Sequence, residues 1–198
     1  MLEHVQKLKA RPLSWSSISS FEYDKKSWAK RYLANVIESP SPELIFGSQT
    51  GKKLETDPTF LPQIKRYNKM EYPFNVSLSG IPLTGYADTF CDKSKKKLGE
   101  YKTGKNEWTQ KRADEHGQIT MYLLMNFITH QIPPEKVDVT IYWMPTKANG
   151  DFSISFVEPI EENIKVFKTK RTTKDILKFA GHIKDIYKEM EEYALSYE

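Results

Sequence analysis

Apolar and polar residues alternate along several segments of the chain, and this period of two is typical of half-buried strands. From Tyr72 to Leu78 every second residue is apolar or aromatic, which predicts a first strand. Gly80 indicates a turn into a second strand over about 83–91. A solvated hairpin loop then leads into a third strand over about 98–103.

Helices are predicted where serine or threonine N-caps precede apolar residues at helical spacing. The segment beginning at Ser14 predicts a helix that runs to about residue 36, and a second helix is predicted over 42–55. A long helix is expected over 107–130, where it ends before two prolines. The last helix begins at Thr172, with Asp175 three residues later in a variant of the capping box.

Two further strands lie between the last two predicted helices. Residues 137–143 alternate again, and Asn149-Gly150 predicts a hairpin turn into a fifth strand over about 152–156. Three meandering strands followed by a crossover helix and another strand describe an α/β or α+β fold, with a mixed central sheet of about five strands flanked by helices. No internal repeat or linker-like tract interrupts the chain, so residues 1–198 are expected to form a single domain.

The composition and motif content exclude several classes of protein. Cys91 is the only cysteine, so the chain forms neither an intramolecular disulfide nor a four-cysteine zinc or iron–sulfur site, and a reducing compartment is expected. No histidine pair has the spacing of a zinc-hydrolase helix, and residues 47–53 are one residue short of a phosphate-binding loop. No apolar stretch reaches the length of a membrane span, and the first residues lack the apolar run of a secretory signal. These features predict a soluble, cytoplasmic protein without a membrane partner.

The charge is unevenly distributed along the chain. There are 30 Lys and Arg against 26 Asp and Glu, and the resulting formal charge of +4 is too small to identify a nucleic-acid-binding protein by itself. Residues 91–112 contain eight basic residues against three acidic ones, and residues 165–178 contain six against one. Either basic run taken alone is more often a solvated surface than a binding site.

One pattern of charged residues suggests a catalytic site. Asp88 lies near the end of the second predicted strand, and Glu100 and Lys102 project from one face of the third, since residues two apart in a strand share a face. A divalent cation with oxygen ligands makes two neighbouring carboxylates tolerable in a partly buried site, and the lysine can orient a water molecule or stabilise charge on a phosphate. The competing interpretation is an ordinary cross-strand salt bridge of Lys102, which would be favoured if the pattern stood alone.

These residues resemble the PD-(D/E)XK nuclease superfamily, and in particular its RecB-like branch, which includes phage-type recombination exonucleases. The resemblance covers about residues 14–145. It depends on the strand motif Glu100-Tyr101-Lys102-Thr103-Gly104, on the preceding Gly85-x-x-Asp88, and on Gln118 and Tyr122, which lie four apart on one face of a helix. The resemblance implies a restriction-endonuclease-like core and hydrolysis of phosphodiester bonds.

The resemblance also implies a role for each residue of these motifs. Asp88 and Glu100 would bind Mg²⁺ or Mn²⁺ together with the backbone carbonyl of Tyr101. Lys102 would assist the attacking water. The Gln and Tyr of the helix would support the site or the scissile strand.

The chain departs from this family at two places. Asp24 and Lys25 stand where iron–sulfur members of the branch have a cysteine and a proline, which implies that the cluster is absent. Gly51 stands where the family offers a His or Glu as a metal ligand on the second helix. Glu55, one turn further along the same face, is either a substitute ligand or a solvated helix residue.

The residues and the resemblance together predict a metal-dependent deoxyribonuclease in DNA processing, repair or recombination. Exonuclease action is favoured, because the branch suggests it and no separate recognition domain is encoded. Basic residues of the two runs are expected to contact DNA phosphates, which position the backbone without reading sequence; they are Lys95, Lys96, Lys105, Lys168, Lys170 and Arg171. RNA as substrate would show the same features, and the alternative function is a non-catalytic nucleic-acid-binding or assembly module on the same fold.

Overall fold

The structure is a computed structural model that describes residues 2–104, 106–145 and 164–197. The helices are α1 (Leu2–Ala10), α2 (Trp15–Tyr23), α3 (Lys25–Tyr32), α4 (Pro42–Thr56), α5 (Gln110–Glu115), α6 (Gly117–His130) and α7 (Thr173–Ser196), and a 3₁₀ turn spans Pro134–Lys136. The strands are β1 (Lys69–Leu78), β2 (Ile81–Phe90), β3 (Lys97–Gly104), β4 (Asp138–Pro145) and β5 (Lys165–Thr169). None of the helices in these ranges is long and apolar enough to cross a membrane.

The five strands form one mixed sheet in the order β1-β2-β3-β4-β5. β1, β2 and β3 are successive antiparallel neighbours, β4 returns parallel to β3, and β5 is antiparallel to β4. Two parallel neighbours cannot be joined by a hairpin, so the chain crosses over through α5 and α6 between β3 and β4. The mixed five-stranded sheet flanked by helices confirms the predicted α+β fold class.

β2 and β3 separate after a short stretch of pairing. Only Leu98 and Gly99 of β3 pair with β2, whereas β3 pairs with β4 along its whole length, Lys97–Gly104. Beyond Gly99, β3 therefore follows β4 and leaves β2. We call the opening between Asp88 of β2 and Glu100 of β3 the fork.

Apolar residues cover both faces of the sheet. On one face, α2, α3, α6 and α7 pack over the main core, which contains the fully buried rings of Phe21, Trp28 and Phe90. The other face carries a smaller core around Leu54 of α4 and Tyr142 of β4. Successive residues of β4 contribute alternately to the two cores, as a strand with both faces covered requires.

Two of the predicted helices are each divided in the structure, and the sequence pattern does not predict α1. The helix expected from residue 14 to about 36 consists of α2 and α3. Asp24 separates them because its backbone is extended and its side chain caps α3 by accepting N–H groups of the first turn. The helix expected over 107–130 is divided at His116, whose backbone is also extended.

In the described residues, the strand that pairs with β4 lies later in the chain than the predicted fifth strand. Asn149-Gly150 and residues 152–156 lie outside the described residues, and the strand beside β4 is Lys165–Thr169, within the second basic run. α7 follows this strand and confirms the predicted capping box. Thr172 accepts the N–H of Asp175, and the Asp175 carboxylate accepts the N–H of Thr172.

Candidate active site

A cavity of about 530 Å³ lies between α4 and the sheet, at the fork. One wall is α4 from Gly47 to Glu55, and the opposite wall contains Glu71 of β1, Asp88 of β2, residues 101–103 of β3 and Met144 of β4. Asp88, Lys102, Tyr101 and Glu55, four of the residues assigned to the site from the sequence, therefore line a single cavity.

The fork positions the carboxylate of Asp88. Because β3 has left β2 at this point, the backbone N–H of Tyr101 donates to Asp88 Oδ2 at 2.5 Å. Burial raises the pKa of Asp88 well above its usual value, and the charge of Glu100 raises it further, whereas Lys102 and the Tyr101 N–H act in the opposite direction. Ionisation of Asp88 is therefore costly in the protein without a bound cation.

Glu100 is the most deeply buried acidic residue of the site, with 1% of its surface exposed. Its Oε1 lies 2.7 Å from Lys102 Nζ, and its charge raises the pKa of the neighbouring Asp88. Burial raises the pKa of Glu100, while Lys102 opposes this effect. Oε2 is buried and accepts no hydrogen bond from the described residues.

A chain of hydrogen bonds joins Lys102 to α6. Lys102 Nζ donates to Gln118 Oε1 at 2.7 Å, and Gln118 Nε2 donates to the Tyr122 hydroxyl at 2.6 Å. The Tyr122 hydroxyl donates in turn to the backbone carbonyl of Tyr86 on β2. The i, i+4 spacing on α6 thus places both predicted helix residues on the face that meets the fork.

Gly85 has a steric reason to be a glycine. A Cβ at this position would lie 2.8 Å from the Tyr122 ring and 3.0 Å from the end of Met125. The absence of a side chain allows α6 to approach β2, and that approach brings Tyr122 to the Tyr86 carbonyl.

The cavity wall formed by α4 has fewer candidate metal ligands than the family resemblance implies. Gly51 lines the cavity, and no atom lies within 4 Å of the position its Cβ would occupy. Glu55 also lines the cavity, but its carboxylate is 2.8 Å from Lys52 Nζ on the same helix. The Tyr101 ring lies in the smaller core, with its hydroxyl donating to the Lys65 carbonyl, so only the backbone of this residue is a candidate ligand.

Glu71 is a site residue that the sequence pattern did not indicate. It lines the cavity, and desolvation followed by the charges of Glu55 and Glu100 raises its pKa. The hairpin turn between β1 and β2 is a local sequence feature from which the position of Glu71 could have been predicted. Ser79 and Gly80 form a two-residue hairpin loop with positive φ values of 53° and 90°, and the resulting register, 70 with 89 and 72 with 87, sets Glu71 across from Asp88.

Arg171, which the sequence places among the DNA-contacting residues on the surface, is instead buried, with 5% of its surface exposed. Its guanidinium donates to the hydroxyls of Thr120 and Thr169 and to the backbone carbonyls of Ala113 and His116. Arg171 therefore ties the chain after β5 to the junction of α5 and α6. Its charge run indicated a surface residue, whereas its partners Thr120, Ala113 and His116 lie 51 to 58 residues earlier in the chain.

The other lysines predicted to contact DNA differ in their exposure and in their ion pairs. Lys96, Lys168 and Lys170 are exposed, and Lys170 Nζ lies 3.9 Å from Asp138 Oδ1. Lys95 forms an ion pair with Asp92, and its backbone carbonyl accepts a hydrogen bond from the buried Asn126 of α6. Lys105 lies outside the described residues.

Solved structures share this fold at low sequence identity. The crystal structure of a candidate exonuclease from Eubacterium rectale is similar with a TM-score of 0.58 and 10% identity, over 97% of this chain and 84% of that one. The crystal structure of a phage-related exonuclease from Haemophilus somnus 129PT is similar with a TM-score of 0.52 and 14% identity, over 97% of this chain and 91% of that one. The chain shares the fold of these two proteins. No protein-family model matches the sequence, and no curated protein matches it either.

Proposed function

We propose that the chain is a divalent-metal-dependent deoxyribonuclease of the PD-(D/E)XK superfamily, in its RecB-like, phage-type exonuclease branch. The observation that carries the proposal is the pair of adjacent carboxyl groups at the fork, Asp88 and Glu100, beside the ammonium group of Lys102. The two structural neighbours are named as exonucleases, which supports cleavage from DNA ends.

The residues at the fork fit a hard divalent cation. Asp88 and Glu100 offer carboxylate oxygens, and Glu100 Oε2 is buried without a hydrogen-bond donor among the described residues. Mg²⁺ and Mn²⁺ prefer carboxylate, carbonyl and water oxygens. The two carboxylates and the carbonyl of Tyr101 would hold the ion. When bound, such an ion polarises a phosphate oxygen and lowers the pKa of a water molecule.

The contacts of Lys102 support a role for its ammonium group on the substrate. Its ammonium group has three donors, of which Glu100 Oε1 and Gln118 Oε1 accept two, each at 2.7 Å. Because Lys102 also lines the cavity, its remaining donor can orient a water molecule or bind a phosphate oxygen there. Gln118, held by Tyr122, fixes the position of the ammonium group, which is a positioning role.

End-labelled DNA incubated with Mg²⁺ or Mn²⁺ tests the proposal directly. The parent is expected to shorten the labelled strand from its ends, and Asp88→Ala, Glu100→Ala and Lys102→Met are expected to reduce turnover about 100-fold or more, the scale of losing one group that stabilises the transition state. Lys184→Met, an exposed lysine of α7, is the matched control. Circular dichroism confirms that each variant is folded.

Two outcomes would overturn parts of this assignment. If Lys102→Met cleaves at the parental rate, Lys102 has no catalytic role. If labelled RNA of the same sequence is degraded and DNA is not, the substrate is RNA on the same site.

Gly51 favours a second candidate function, a non-catalytic nucleic-acid-binding or assembly module. It leaves the α4 wall of the cavity without a side chain at a position that has room for one. Calorimetric titration with Mn²⁺ separates the two functions. Binding that is lost in Asp88→Ala supports the nuclease, whereas a parent that binds DNA but not Mn²⁺ is the module.

A further inference from the structure

Glu71 stands opposite Asp88 in an arrangement that is unfavourable for the protein alone. Glu71 has a left-handed backbone with φ of 47°, which disfavours any residue that carries a Cβ. Glu71 lies between the paired positions 70–89 and 72–87, its charge raises the pKa of Asp88, and the charges of Glu55 and Glu100 act unfavourably on Glu71 itself. Within the described residues Glu71 has no hydrogen bond or ion pair, and the charge of Lys52 offsets these costs only in part.

An independent observation points to a ligand at this place. Glu100 is almost completely buried, and its Oε2 lacks a hydrogen-bond donor among the described residues. A buried carboxylate oxygen needs a hydrogen-bond donor or a cation as its partner, and Lys102 contacts the other oxygen, Oε1. The unpaired oxygen and the strained, like-charged pair on β1 and β2 thus occur at the same fork.

Glu55 of α4 is the competing source of a third carboxylate. Its charge is already compensated by Lys52 at 2.8 Å, and both residues belong to the same exposed helix turn. Glu71 instead lies on the strand next to Asp88, across the cavity from α4. A Glu side chain has three rotatable bonds, so its carboxylate can turn toward a cation bound by Asp88.

We propose that Glu71 is a third carboxylate ligand of the divalent cation at the fork, supplied by β1 in place of a ligand from α4. This inference rests on the proposed function, because it needs the cation site of Asp88 and Glu100. In the described residues no three His, Cys, Asp or Glu side chains are already arranged around a metal position. Binding of the cation therefore includes reorientation of the Glu71 side chain.

Calorimetric titration of the full chain with Mn²⁺ alone tests the inference without relying on activity. Glu71→Gln is expected to weaken Mn²⁺ binding about tenfold or more. Glu71→Gly is expected to weaken it equally, although glycine relieves the left-handed backbone, because both variants lack the carboxylate. Glu192→Gln, an exposed carboxylate of α7, is the control and is expected to bind as the parent does.

Thermal unfolding separates a ligand from a residue that only supports the fold. Without metal, Glu71→Gln and Glu71→Gly are expected to melt at or above the parental temperature, since each removes an unfavourable charge. With Mn²⁺ the parent is expected to gain more stability than either variant, because a ligand that binds only the folded state stabilises it by mass action.

The outcomes distinguish this inference from the proposed function. If the parent binds Mn²⁺ and Asp88→Asn does not, but both Glu71 variants bind like the parent, the cation site stands and Glu71 is not a ligand. If Glu55→Gln loses affinity and Glu71→Gln does not, the third carboxylate comes from α4 and the inference is wrong. A parent that binds no Mn²⁺ overturns both the inference and the proposed function.

Discussion

The Asp88 carboxylate accepts a backbone N–H, from Tyr101, so an amide in its place keeps the hydrogen bond and removes the charge. This separation matters because burial and Glu100 both disfavour the charged form of Asp88. The Tyr101 N–H therefore holds the Asp88 carboxylate in place, while burial and the charge of Glu100 oppose its ionisation.

Asp88→Asn is expected to raise the melting temperature of the metal-free protein at about pH 7. The pKa of Asp88 is higher in the folded than in the unfolded protein. The stability that the Asp88 carboxyl group contributes is therefore fully present below its unfolded pKa, and this stability is lost as the pH rises through its folded pKa. The advantage of asparagine should therefore shrink near pH 4, about the unfolded pKa of an aspartate, where the folded carboxyl group is already protonated. Scanning fluorimetry at both pH values measures this, and a variant that is less stable than the parent at about pH 7 would contradict the argument.

Arg171→Ala is expected to destabilise the fold by about 2–3 kcal/mol, because buried hydroxyls and carbonyls lose a charged donor. Denaturant unfolding measures the loss, and Lys170→Ala, whose side chain is exposed, is the neighbouring control. Since Arg171 is buried, conservative replacement by lysine should also cost stability while leaving the salt dependence of DNA binding unchanged. A change in the slope of DNA affinity against salt concentration would mean that the guanidinium group contacts a phosphate.

On the scale of helices and strands, the side of α4 that faces the cavity has unoccupied space next to Gly51. Gly51 lies within its interior, has ordinary helical geometry and has no atom within 4 Å of a potential Cβ. The buried residues that anchor α4 are Thr50 and Leu54, and Leu54 belongs to the smaller core. The packing of α4 therefore does not require a glycine at position 51.

Gly51→Ala is expected to stabilise the protein by about 0.5–1 kcal/mol, because alanine loses less backbone entropy than glycine on entering a helix. Metal affinity should not change, since a methyl group is not a ligand. Urea unfolding and Mn²⁺ titration measure the two effects. A loss of stability would show that the backbone near Gly51 closes against the cavity in solution.

On the scale of the whole molecule, basic residues that are neighbours in the sequence differ in whether they reach the surface. Lys168 of β5 pairs in register with Thr140, which pairs with Gly99 of β3, so Lys168 is two strands from the fork. Two strand spacings amount to about 10 Å. Lys168 and Lys170 therefore form an exposed basic edge beside the proposed site, without Arg171.

Charge reversal at this edge, Lys168→Glu with Lys170→Glu, is expected to weaken DNA binding for all sequences alike. The logarithmic salt dependence should flatten by about one for each phosphate that the protein no longer neutralises. Fluorescence anisotropy over a salt series measures the slope, and Lys188→Glu with Lys184→Glu on α7 is a control with the same change of charge. Equal effects of the two pairs would mean that only net charge matters and that the β5 edge is a solvated surface.

Features that depend on near neighbours along the chain could be predicted from the residues alone. Periods of two placed β1 to β4 close to their observed positions, and the capping residues placed the starts of α2 and α7, since strand alternation and N-caps are local effects. The i, i+4 spacing also placed Gln118 and Tyr122 on one face of α6. Local signals were available for the break at Asp24 and for the hairpin register of Glu71, but helical periodicity and the strand motif outweighed them.

Features that depend on contacts between distant segments could be known only from the folded chain. The separation of β2 from β3 follows from the pairing of β3 with β4, about 40 residues later, and it opens the cavity that Asp88 lines beside the buried Glu100. Arg171 and Lys168 belong to one basic run, yet one is buried by partners about 50 residues away and the other is exposed. Burial and register are properties of the packed chain, so the same residue types acquire different roles according to which distant elements cover them.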